Sequence, residues 1–365
     1  MRRSVPNPKL AAAREGLERI LLLRLGSMGD IIHTLPALAT LRRAFPAATL
    51  AWVVEERWAG LLAARPGVSR PGSPEMPLVD AVHTVNLKAW RQAFHKPQTW
   101  KEGRALFREL RQGAYQAAID FQGAVRSALL MKWSGAALRV GASRPRESAA
   151  GLYYTRHVPF RGKHVVEHNL SLVEALAPGA PLVLEFPLPI DPAAEAWADA
   201  EVQRRGLAGF AILTPGAGWG AKQWPPERYG EVAQGLARHG LRSLVNAGPG
   251  EEEIARAVVE ASGSTAQAFT CSLAELIALT RRARLAAGGD TGPLHLAVAL
   301  GVPAVGIYGP TDPVRNGPFG ARCRVLRSPA SRTSHARRAA PEEGMLSLTS
   351  AEALRAAREL LAGAP

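Results

Sequence analysis

The chain has 365 residues, 47% of them hydrophobic, which is enough to build two globular domains of ordinary size. Its two cysteines, Cys271 and Cys323, exclude a disulfide framework and show no metal-ligand spacing, so we expect a cytoplasmic protein. No apolar run reaches the ~18 residues of a membrane-spanning helix. The first residues are charged and lack the apolar core of a signal peptide.

The net charge of +14 is concentrated in the first half of the chain. Residues 1–175 contain 26 lysines and arginines against 13 acidic residues, whereas residues 176–365 contain 19 against 18. This imbalance indicates an anionic partner for the first half, namely nucleic acid, an acidic lipid surface or a phosphorylated saccharide. A composition rich in arginine and alanine explains the total charge but not its distribution.

Apolar runs and helical periodicities alternate through the first half. The predicted strands are Ile20–Leu25, Leu50–Val54, Ala81–Leu87 and Ala117–Asp120. The predicted helices are Ile31–Phe45, Glu55–Ala64, Trp100–Gln112, Ala124–Gly135 and His164–Leu176. Residues 65–80, rich in Pro, Gly and Ser, and the basic stretch Arg144–Arg161 are predicted to be loops.

Five prolines among the fifteen residues Pro178–Pro192 indicate an interdomain linker, after which the alternation resumes. The predicted strands are Phe210–Thr214, Ser243–Ala247, Arg284–Ala287 and Ala304–Tyr308. The predicted helices are Pro226–Arg238, Glu251–Ala261, Leu273–Arg282, Leu294–Leu300 and Ser350–Leu361. Residues 326–347 are polar, basic and predicted to be irregular.

This alternation predicts an α/β fold with two doubly wound, Rossmann-like domains that face one cleft. We expect a first domain over residues 1–178, a linker over 179–192, a second domain over 193–347 and a C-terminal helix within 348–365. The apolar stripe of that helix, at Leu354 and Leu361, has to pack on some surface, for which the N-terminal domain is one candidate.

Two turns have the residue pattern of an anion site at the start of a helix. An apolar strand runs into Gly289–Pro293 (GDTGP), where proline takes the first helical position. Free backbone N–H groups and the positive end of the helix dipole suit a diphosphate there. The segment Leu21–Asp30 has the same order of strand, glycine turn, acidic residue and helix. Both turns are typical of nucleotide-type α/β domains.

Other strand ends in the second half add candidate nucleotide ligands. Residues Thr214–Pro225 contain glycines that let the backbone approach phosphate, and Lys222 adds a point charge. Glu251 suits the hydroxyls of a ribose, or else complements the dipole of the helix that it starts. Residues Phe269–Leu273 are a candidate adenine wall, although core packing explains a buried Phe269 equally well. Four such loops in one domain predict a nucleotide site.

The basic first half contains a candidate general base. Asp30, at the start of a helix, either caps that helix or takes a proton from an attacking sugar hydroxyl. His33 either orients Asp30 or is structural. Four arginines follow strand ends or lie in the basic loop, where they bind carboxylate or phosphate or are simply solvated: Arg57, Arg126, Arg144 and Arg146.

Together these motifs resemble glycosyltransferase family 9, the bacterial lipopolysaccharide heptosyltransferases. In the first half the resemblance rests on Ser27–Leu38 (SMGDIIHTLPAL), Trp52–Glu56 and Asp120–Gly123. In the second half it rests on Lys222–Glu227, Gly250–Glu253, Asp290–Ala297 and Tyr308–Pro313. It covers roughly residues 18–320, and the start is most similar to enzymes that add the first heptose to Kdo–lipid A.

The resemblance implies a GT-B fold with an N-terminal acceptor domain and a C-terminal nucleotide-sugar domain. It implies transfer of heptose from ADP-L-glycero-D-manno-heptose to the Kdo of Kdo–lipid A in inner-core synthesis. The transfer would proceed with inversion and without a metal or other cofactor. We expect a monomeric, cytoplasmic enzyme that is peripheral to the inner membrane and has no nucleic-acid partner.

Carried over position by position, the resemblance makes Asp30 the base and Lys222 the residue that neutralises the leaving diphosphate. Asp290, Thr291 and Gly292 would hold the phosphates and heptose, and Glu251 the ribose. Two further residues, Thr214 and His295, complete the expected donor site. The acceptor would be bound by Arg57, Arg126, Arg144 and Arg146, of which Arg126 and Arg146 are the best candidates.

The chain departs from the family pattern in three places. The loop before Lys222 offers backbone only, with Thr214 as the nearest hydroxyl, and Cys271 falls in the expected adenine segment. Residues 1–17 and 327–340 lie outside the resemblance. A heptosyltransferase II-type acceptor or another nucleotide sugar remains open. A nucleic-acid-binding protein is disfavoured because no recognised module occurs, and a dinucleotide oxidoreductase because the first turn lacks G-x-G-x-x-G.

Overall fold

The computed structural model describes residues 16–93, 95–334, 336 and 338–363. The chain divides into two compact units, the first ending at Pro189 and the second beginning at Ile190. This boundary lies inside the proline-rich stretch. No helix in the described part of the chain is both long and apolar enough to cross a bilayer.

The first unit is a six-stranded parallel sheet with the order β3-β2-β1-β4-β5-β6. Its strands are β1 (Arg19–Leu23), β2 (Thr49–Glu55), β3 (Ala81–Val85), β4 (Ala117–Asp120), β5 (Leu138–Ala142) and β6 (Arg156–Val158). Its helices are α1 (Met28–Ile32), α2 (Leu35–Ala44), α3 (Leu87–Gln92), α4 (Pro97–Gln112), α5 (Val125–Ser134) and α6 (Val165–Glu174). Short 3-10 turns occupy Glu56–Leu61 and Ser148–Tyr153.

The second unit repeats this plan with the strand order β12-β11-β10-β7-β8-β9. Its strands are β7 (Phe210–Thr214), β8 (Arg242–Asn246), β9 (Ala266–Phe269), β10 (Leu285–Gly289), β11 (Ala304–Tyr308) and β12 (Cys323–Arg327). The longer helices are α7 (Pro192–Arg204), α8 (Pro226–Ala237), α9 (Glu252–Ala261), α10 (Leu273–Arg282), α11 (Gly292–Ala299) and α14 (Ser350–Ala362). The short helices are α12 (Pro313–Asn316) and α13 (Glu343–Ser347), and a 3-10 turn spans Gly220–Lys222.

These two doubly wound parallel sheets confirm the predicted fold class. The central strands β7, β10 and β11 are buried along their whole length, which explains their near-continuous apolar sequences. In each sheet the strand order reverses direction at the strand that comes first in the sequence. This strand is β1, between β2 and β4, in the first sheet, and β7, between β8 and β10, in the second. Such a switch point is where open α/β sheets bind their ligands.

The final helix differs from one expectation. Its buried residues, Ala353, Ala356, Ala357 and Leu360, belong to the core of the second unit, and the predicted stripe residues Leu354 and Leu361 pack against that core. This helix therefore packs on its own unit. The physical reason is that α8 and the strands of its own unit already offer an apolar face.

Candidate active site

The loops with the predicted site residues follow the strands at each switch point. In the first unit, β1 leads into Leu25–Asp30 and its neighbour β4 leads into Phe121–Gly123. In the second unit, β7 leads into the Lys222 loop and its neighbour β10 leads into Asp290–Gly292. Because carboxyl ends of parallel strands lie at one edge of a sheet, each pair of loops is brought together.

Asp30 both caps α1 and forms an ion pair. Its Oδ2 accepts hydrogen bonds from the Ser27 backbone N–H and from the Ser27 hydroxyl, each at 3.0 Å. Its Oδ1 lies 2.5 Å from Nη2 of Arg24, the residue directly after β1. The Asp30 side chain is 37% exposed, whereas that of Arg24 is only 10% exposed. The carboxylate is thus held from below and open to a ligand.

The surroundings of Asp30 keep its carboxyl group ionised. Burial acts to raise the pKa of Asp30, but the Arg24 guanidinium and the Ser27 hydrogen bonds outweigh it and hold the pKa below the usual value. At neutral pH this side chain is therefore a carboxylate, the form that accepts a proton.

The motif Asp120–Gly123 acts as the support for Arg24. The Phe121 carbonyl accepts from Arg24 Nη1, and Gln122 Oε1 accepts from the Leu25 N–H at 3.1 Å. In the sequence this motif is part of the family resemblance, with no role assigned to it. Arg24 is a site residue that was not predicted from the sequence. An arginine within the apolar run Ile20–Leu25 was the signal that marked it.

Asp120 fixes the conformation of the Phe121–Gly123 loop. Its fully buried carboxyl accepts from four donors: Gln122 N at 2.8 Å, Gly123 N at 3.2 Å, Ser127 Oγ at 2.9 Å and Tyr154 OH at 2.8 Å. Burial is the strongest influence and raises the pKa of Asp120. The residue touches no reacting group in this arrangement, so we interpret it as a positioning residue.

Two buried donors near Asp30 have no acceptor among the described residues: Arg24 Nε and Trp58 Nε1. The Trp58 nitrogen lies over the glycine turn before Asp30, 3.1 Å from where a Cβ on Gly26 would stand. Buried donors are nearly always satisfied in folded proteins. These two unpaired donors near the accessible Asp30 carboxylate suit a ligand that carries hydrogen-bond acceptors.

The candidate acceptor arginines are all exposed, and the structure brings two of them close to one carboxylate. Burial raises the pKa of Glu55, while Arg57 and Arg126 both act to lower it. Arg57 also lies 4.8 Å from the centroid of the Trp58 ring. Arg57, Arg126 and Trp58 thus belong to one neighbourhood after β2.

The loop with Arg144 and Arg146 is fastened to the Asp120–Gly123 loop. Glu147 N donates to the Gly123 carbonyl at 2.9 Å, and the Glu147 carboxylate accepts from Val125 N at 2.8 Å. A Cβ at Gly123, whose φ is +65°, would lie 3.0 Å from Arg146 N. Only glycine fits this approach, which brings the Arg146 backbone to the start of α5.

His33 is buried within the unit. Its ring packs edge-to-face against His164 with centroids 5.2 Å apart, and its carbonyl accepts from Asn169 Nδ2 at 3.0 Å. These contacts match the structural alternative for this residue.

In the second unit, Asp290 lies between the side chains of Lys222 and His295. Lys222 Nζ forms an ion pair with Asp290 Oδ2, and His295 Nε2 of α11 lies 3.2 Å from Oδ1. Lys222 Nζ also stands 4.1 Å from the Trp219 ring centroid. Burial acts to raise the pKa of Asp290, but His295 and Lys222 lower it well below the usual value. A fixed carboxylate thus holds the lysine at the edge of the sheet.

Helix α11 begins beside this pair. Thr291 is its N-cap residue but makes no side-chain cap, and its hydroxyl donates instead to the Gly289 carbonyl at 3.3 Å. A helix start of this kind presents N–H groups and a positive dipole to an anion.

Thr214 and Glu251 occupy different environments. Thr214 is buried, and its hydroxyl lies against β10, 3.4 Å from the Ala287 carbonyl that it donates to. The half-buried Glu251 accepts from Gly248 N at 2.9 Å and covers Gly216, where a Cβ would lie 2.1 Å from Glu251 Oε1. Glu251 therefore joins the loops after β7 and β8, while Thr214 packs two strands together.

The basic segment outside the family resemblance lies on the lysine loop. Ala221 N donates to the Arg338 carbonyl at 3.0 Å, and Glu342 N donates to the Ala221 carbonyl at 3.3 Å. A Cβ on Gly220 would stand 1.5 Å from the Ala339 carbonyl oxygen. Residues 338–342 thus form one wall of this loop.

In the expected adenine segment Phe269 is buried, whereas residues 270–273 are exposed or partly exposed. Phe269 is buried in β9, in keeping with core packing. Burial raises the pKa of the Cys271 thiol to about 12, so it is protonated at neutral pH.

Within the described residues, no group of three His, Cys, Asp or Glu side chains is placed to hold a metal ion.

Comparison with known proteins decides the family. A family model described as glycosyltransferase family 9 (heptosyltransferase) matches residues 103–346. The chain belongs to glycosyltransferase family 9. The resemblance noted in the sequence is thereby confirmed, and the protein is a glycosyltransferase.

Curated members of the family cover most of the chain. Lipopolysaccharide heptosyltransferase 1 of Pseudomonas aeruginosa is 31% identical over 312 residues, 83% of this chain and 81% of that protein. Lipopolysaccharide heptosyltransferase 1 of Escherichia coli strain K12 is 29% identical over 323 residues, 85% of this chain and 94% of that protein. This family 9 member is thus similar to heptosyltransferases of lipopolysaccharide synthesis.

Solved structures of the family share the fold. The E. coli heptosyltransferase WaaC with ADP superposes with a TM-score of 0.75 at 27% identity, over 94% of this chain and 99% of that one. WaaC with ADP-2-deoxy-2-fluoro heptose gives a TM-score of 0.72 at 28% identity, over 93% and 99% of the two chains. The GT-B type of α/β fold expected from the sequence is confirmed.

Proposed function

We propose that this family 9 enzyme transfers heptose from ADP-L-glycero-D-manno-heptose to the Kdo of Kdo–lipid A, with inversion and without a metal. The observation that carries the proposal is the ionised, solvent-open Asp30 carboxylate held by Arg24 and Ser27. The donor is supported by similarity to WaaC, whose structures are with ADP and with ADP-2-deoxy-2-fluoro heptose. The acceptor is supported by similarity to proteins named heptosyltransferase 1.

Asp30 supplies the base of a single displacement. Its carboxylate takes the proton of a Kdo hydroxyl while that oxygen forms a bond to the anomeric carbon of the heptose. The bond from this carbon to the diphosphate oxygen breaks, and ADP leaves with the electron pair. One displacement inverts the anomeric configuration.

The second unit stabilises the departing ADP. Negative charge grows on the diphosphate in the transition state, and Lys222 and the α11 N-terminus supply fixed positive charge for it. Lys222 has three donors, so it can retain Asp290 while it reaches a phosphate oxygen. Thr291 and Gly292 bind phosphate and heptose, His295 keeps Asp290 in place, Glu251 binds the ribose, and Thr214 forms the floor.

The arginines of the first unit bind the acidic acceptor. Arg57, Arg126, Arg144 and Arg146 are exposed, and each offers a planar pair of donors for carboxylate or phosphate. Arg24 Nε and Trp58 Nε1 are further donors that a bound sugar acid would satisfy. Because such an acceptor is anchored by lipid, the proposed enzyme works at the cytoplasmic face of the inner membrane. It acts as a monomer and needs no cofactor.

The test is a donor and acceptor screen with the purified protein. ADP release is measured with ADP-heptose, UDP-glucose and GDP-mannose, each with and without Kdo–lipid A, and the product anomer is assigned by NMR. We expect acceptor-dependent release from ADP-heptose alone. Faster transfer to an already heptosylated acceptor would establish a heptosyltransferase II-type activity, and turnover of another nucleotide sugar would contradict the donor.

A further inference from the structure

Helix α4 (Pro97–Gln112) separates its side chains by charge. Leu106 and Leu110 are buried in the core. The two acidic residues point to neighbouring elements, since Glu102 accepts from Trp90 Nε1 at 2.8 Å and Glu109 lies 2.6 Å from His83 Nδ1. The exposed Gln98, Ala105 and Gln112 lie on the same side of the helix as these two acidic residues. Apart from Pro97, the remaining exposed arc of about 120° on a 3.6-residue helix holds only cations and aromatic rings. These residues are Trp100, Lys101, Arg104, Phe107, Arg108 and Arg111.

Three aromatic rings stand out on this surface. Trp100 is 63% exposed, and Phe107 and Trp133 of α5 are each 38% exposed. Phe107 and Trp133 pack edge-to-face with centroids 6.1 Å apart, and the Arg111 guanidinium lies 5.6 Å from the Phe107 centroid. Rings of this size on a solvent-facing helix leave apolar area in water unless another surface covers it.

An anionic bilayer fits both components of the surface. Lysine and arginine side chains bind acidic headgroups, while tryptophan and phenylalanine rings enter the boundary between headgroups and acyl chains. A nucleic-acid duplex would offer phosphates for the cations but no apolar layer for Trp100 and Phe107. The separation of Glu102 and Glu109 from the cationic arc removes the charges that acidic lipids would repel.

We propose that α4, together with Trp133, is the surface by which the first unit docks on an anionic membrane. This deepens the proposed function, on which it rests only for the identity of the acceptor. Arg126, a proposed acceptor ligand, starts α5 seven residues before Trp133, about 10 Å along the helix. The sugar headgroup of a membrane-anchored acceptor would span such a distance.

Vesicles without any acceptor test the surface. Full-length protein is sedimented with vesicles of equal parts phosphatidylglycerol and phosphatidylcholine, and with pure phosphatidylcholine. We expect binding to the anionic vesicles that weakens with salt. The double variant Lys101→Glu/Arg108→Glu should bind at least ~30-fold more weakly, since each cation near such a surface contributes about a factor of five.

Arg238→Glu/Arg358→Glu is the matched control, because it makes the same charge change at exposed positions of the second unit. We expect its vesicle affinity to stay within about twofold of the wild type. Trp100→Ala/Phe107→Ala removes the rings but no charge, and its weaker binding should persist at high salt, where the charge attraction is screened. Both ring positions are exposed, so the fold is retained, as melting curves would verify.

The outcomes separate this proposal from the enzymatic one. Equal vesicle binding by the wild type and Lys101→Glu/Arg108→Glu, or an equal loss in the control, would overturn the docking surface. Tighter binding to duplex DNA than to anionic vesicles, lost in the same variant, would make the partner a nucleic acid. Vesicle binding as expected without any heptose transfer would overturn the proposed function and leave the docking surface standing.

Discussion

Asp30 unites two roles that its sequence position left as alternatives. It caps α1 through Ser27, and it is also the exposed half of an ion pair whose other half, Arg24, is buried. A side chain that only capped a helix would not need a buried guanidinium beneath it. The ion pair with Arg24 keeps the Asp30 carboxylate charged and fixes its orientation. It also makes this carboxylate a weaker base.

Replacing Asp30 by Asn tests the base directly. Asn keeps the side-chain shape and an oxygen for the Ser27 N–H but cannot take a proton, so kcat should fall by about 10²–10⁴-fold. Donor affinity, measured as the shift of the melting temperature with ADP-heptose, should stay nearly intact. Asp191→Asn is the control, since Asp191 caps α7 through Ala193 N and Ala194 N. Wild-type turnover in Asp30→Asn would leave Asp30 a cap only.

Arg24 sets the pH at which Asp30 works. Without its positive charge, burial dominates and the pKa of Asp30 rises, so more of the carboxyl is protonated at a given acid pH. In Arg24→Gln the acid limb of kcat/KM should therefore move to higher pH, with a lower plateau. Arg24→Lys retains the charge and should keep the limb near its wild-type position. An unmoved limb in Arg24→Gln would separate Arg24 from the base.

Asp290, a proposed donor-site residue, also contributes to the stability of the fold. Its pKa in the folded protein is lowered, so its ion pair stabilises the fold above the unfolded value of about 3.9 and this contribution is lost as pH falls through the folded value. Asp290→Asn leaves Lys222 without its carboxylate, and we expect a loss of roughly 2–4 kcal/mol at neutral pH. In chemical denaturation the difference from the wild type should shrink below about pH 4. A loss independent of pH would point to packing instead.

At the scale of elements, strands with a continuous apolar sequence were predictable, and several strands without one were missed. The runs Phe210–Thr214 and Ala304–Tyr308 agree with β7 and β11 because continuous apolar sequence is what a two-sided buried strand requires. The edge strand β6 has only three residues and the edge strand β12 has no buried residue, so their sequences lack this signal. Residues 56–61, expected to begin a helix, form a 3-10 turn instead.

The site was predictable to the same degree. Asp30, Lys222 and Asp290 stood in recognisable glycine turns, so the sequence marked them. The contact of Arg24 with the Phe121 carbonyl spans 97 residues of chain, and the hydrogen bond of Tyr154 to Asp120 spans 34, so no local pattern encodes either of them. The expected roles of Asp30 and Lys222 remain predictions until they are measured.

The Lys222 loop offers a matched pair of glycine substitutions. A Cβ on Gly220 would collide with the Ala339 carbonyl at 1.5 Å, whereas a Cβ on Gly218 meets nothing within 4 Å. Gly220→Ala should displace segment 338–342, raise the KM for ADP-heptose about tenfold or more and lower the melting temperature. Gly218→Ala should leave both unchanged. Equal kinetics for the two variants would remove the segment from the donor site.

At the scale of the whole molecule, two sheets of the same strand order carry opposite chemical tasks. The first unit, with nearly all the net positive charge, offers a base and arginines, and the second offers a lysine and a helix N-terminus. Since the fold supports many activities, the family and these side chains are what specify glycosyl transfer.

Chelation tests whether these charges suffice. If Lys222 and the α11 N-terminus stabilise the leaving diphosphate, millimolar EDTA should leave the initial rate of heptose transfer unchanged. The comparison is the rate with excess Mg²⁺, measured on the same enzyme and substrates. A strict requirement for Mg²⁺, restored by adding the ion back, would contradict the metal-free mechanism.

The contact between segment 338–342 and the lysine loop has one more consequence. Trp224 Nε1 donates to the Leu348 carbonyl at 3.0 Å, so the C-terminal segment contacts this part of the chain at Ala221 and again at Trp224. The C-terminal segment therefore stabilises the conformation of the Lys222 loop. Shortening the protein from this end would first strip α14 from the core of the second unit and would then release the Lys222 loop.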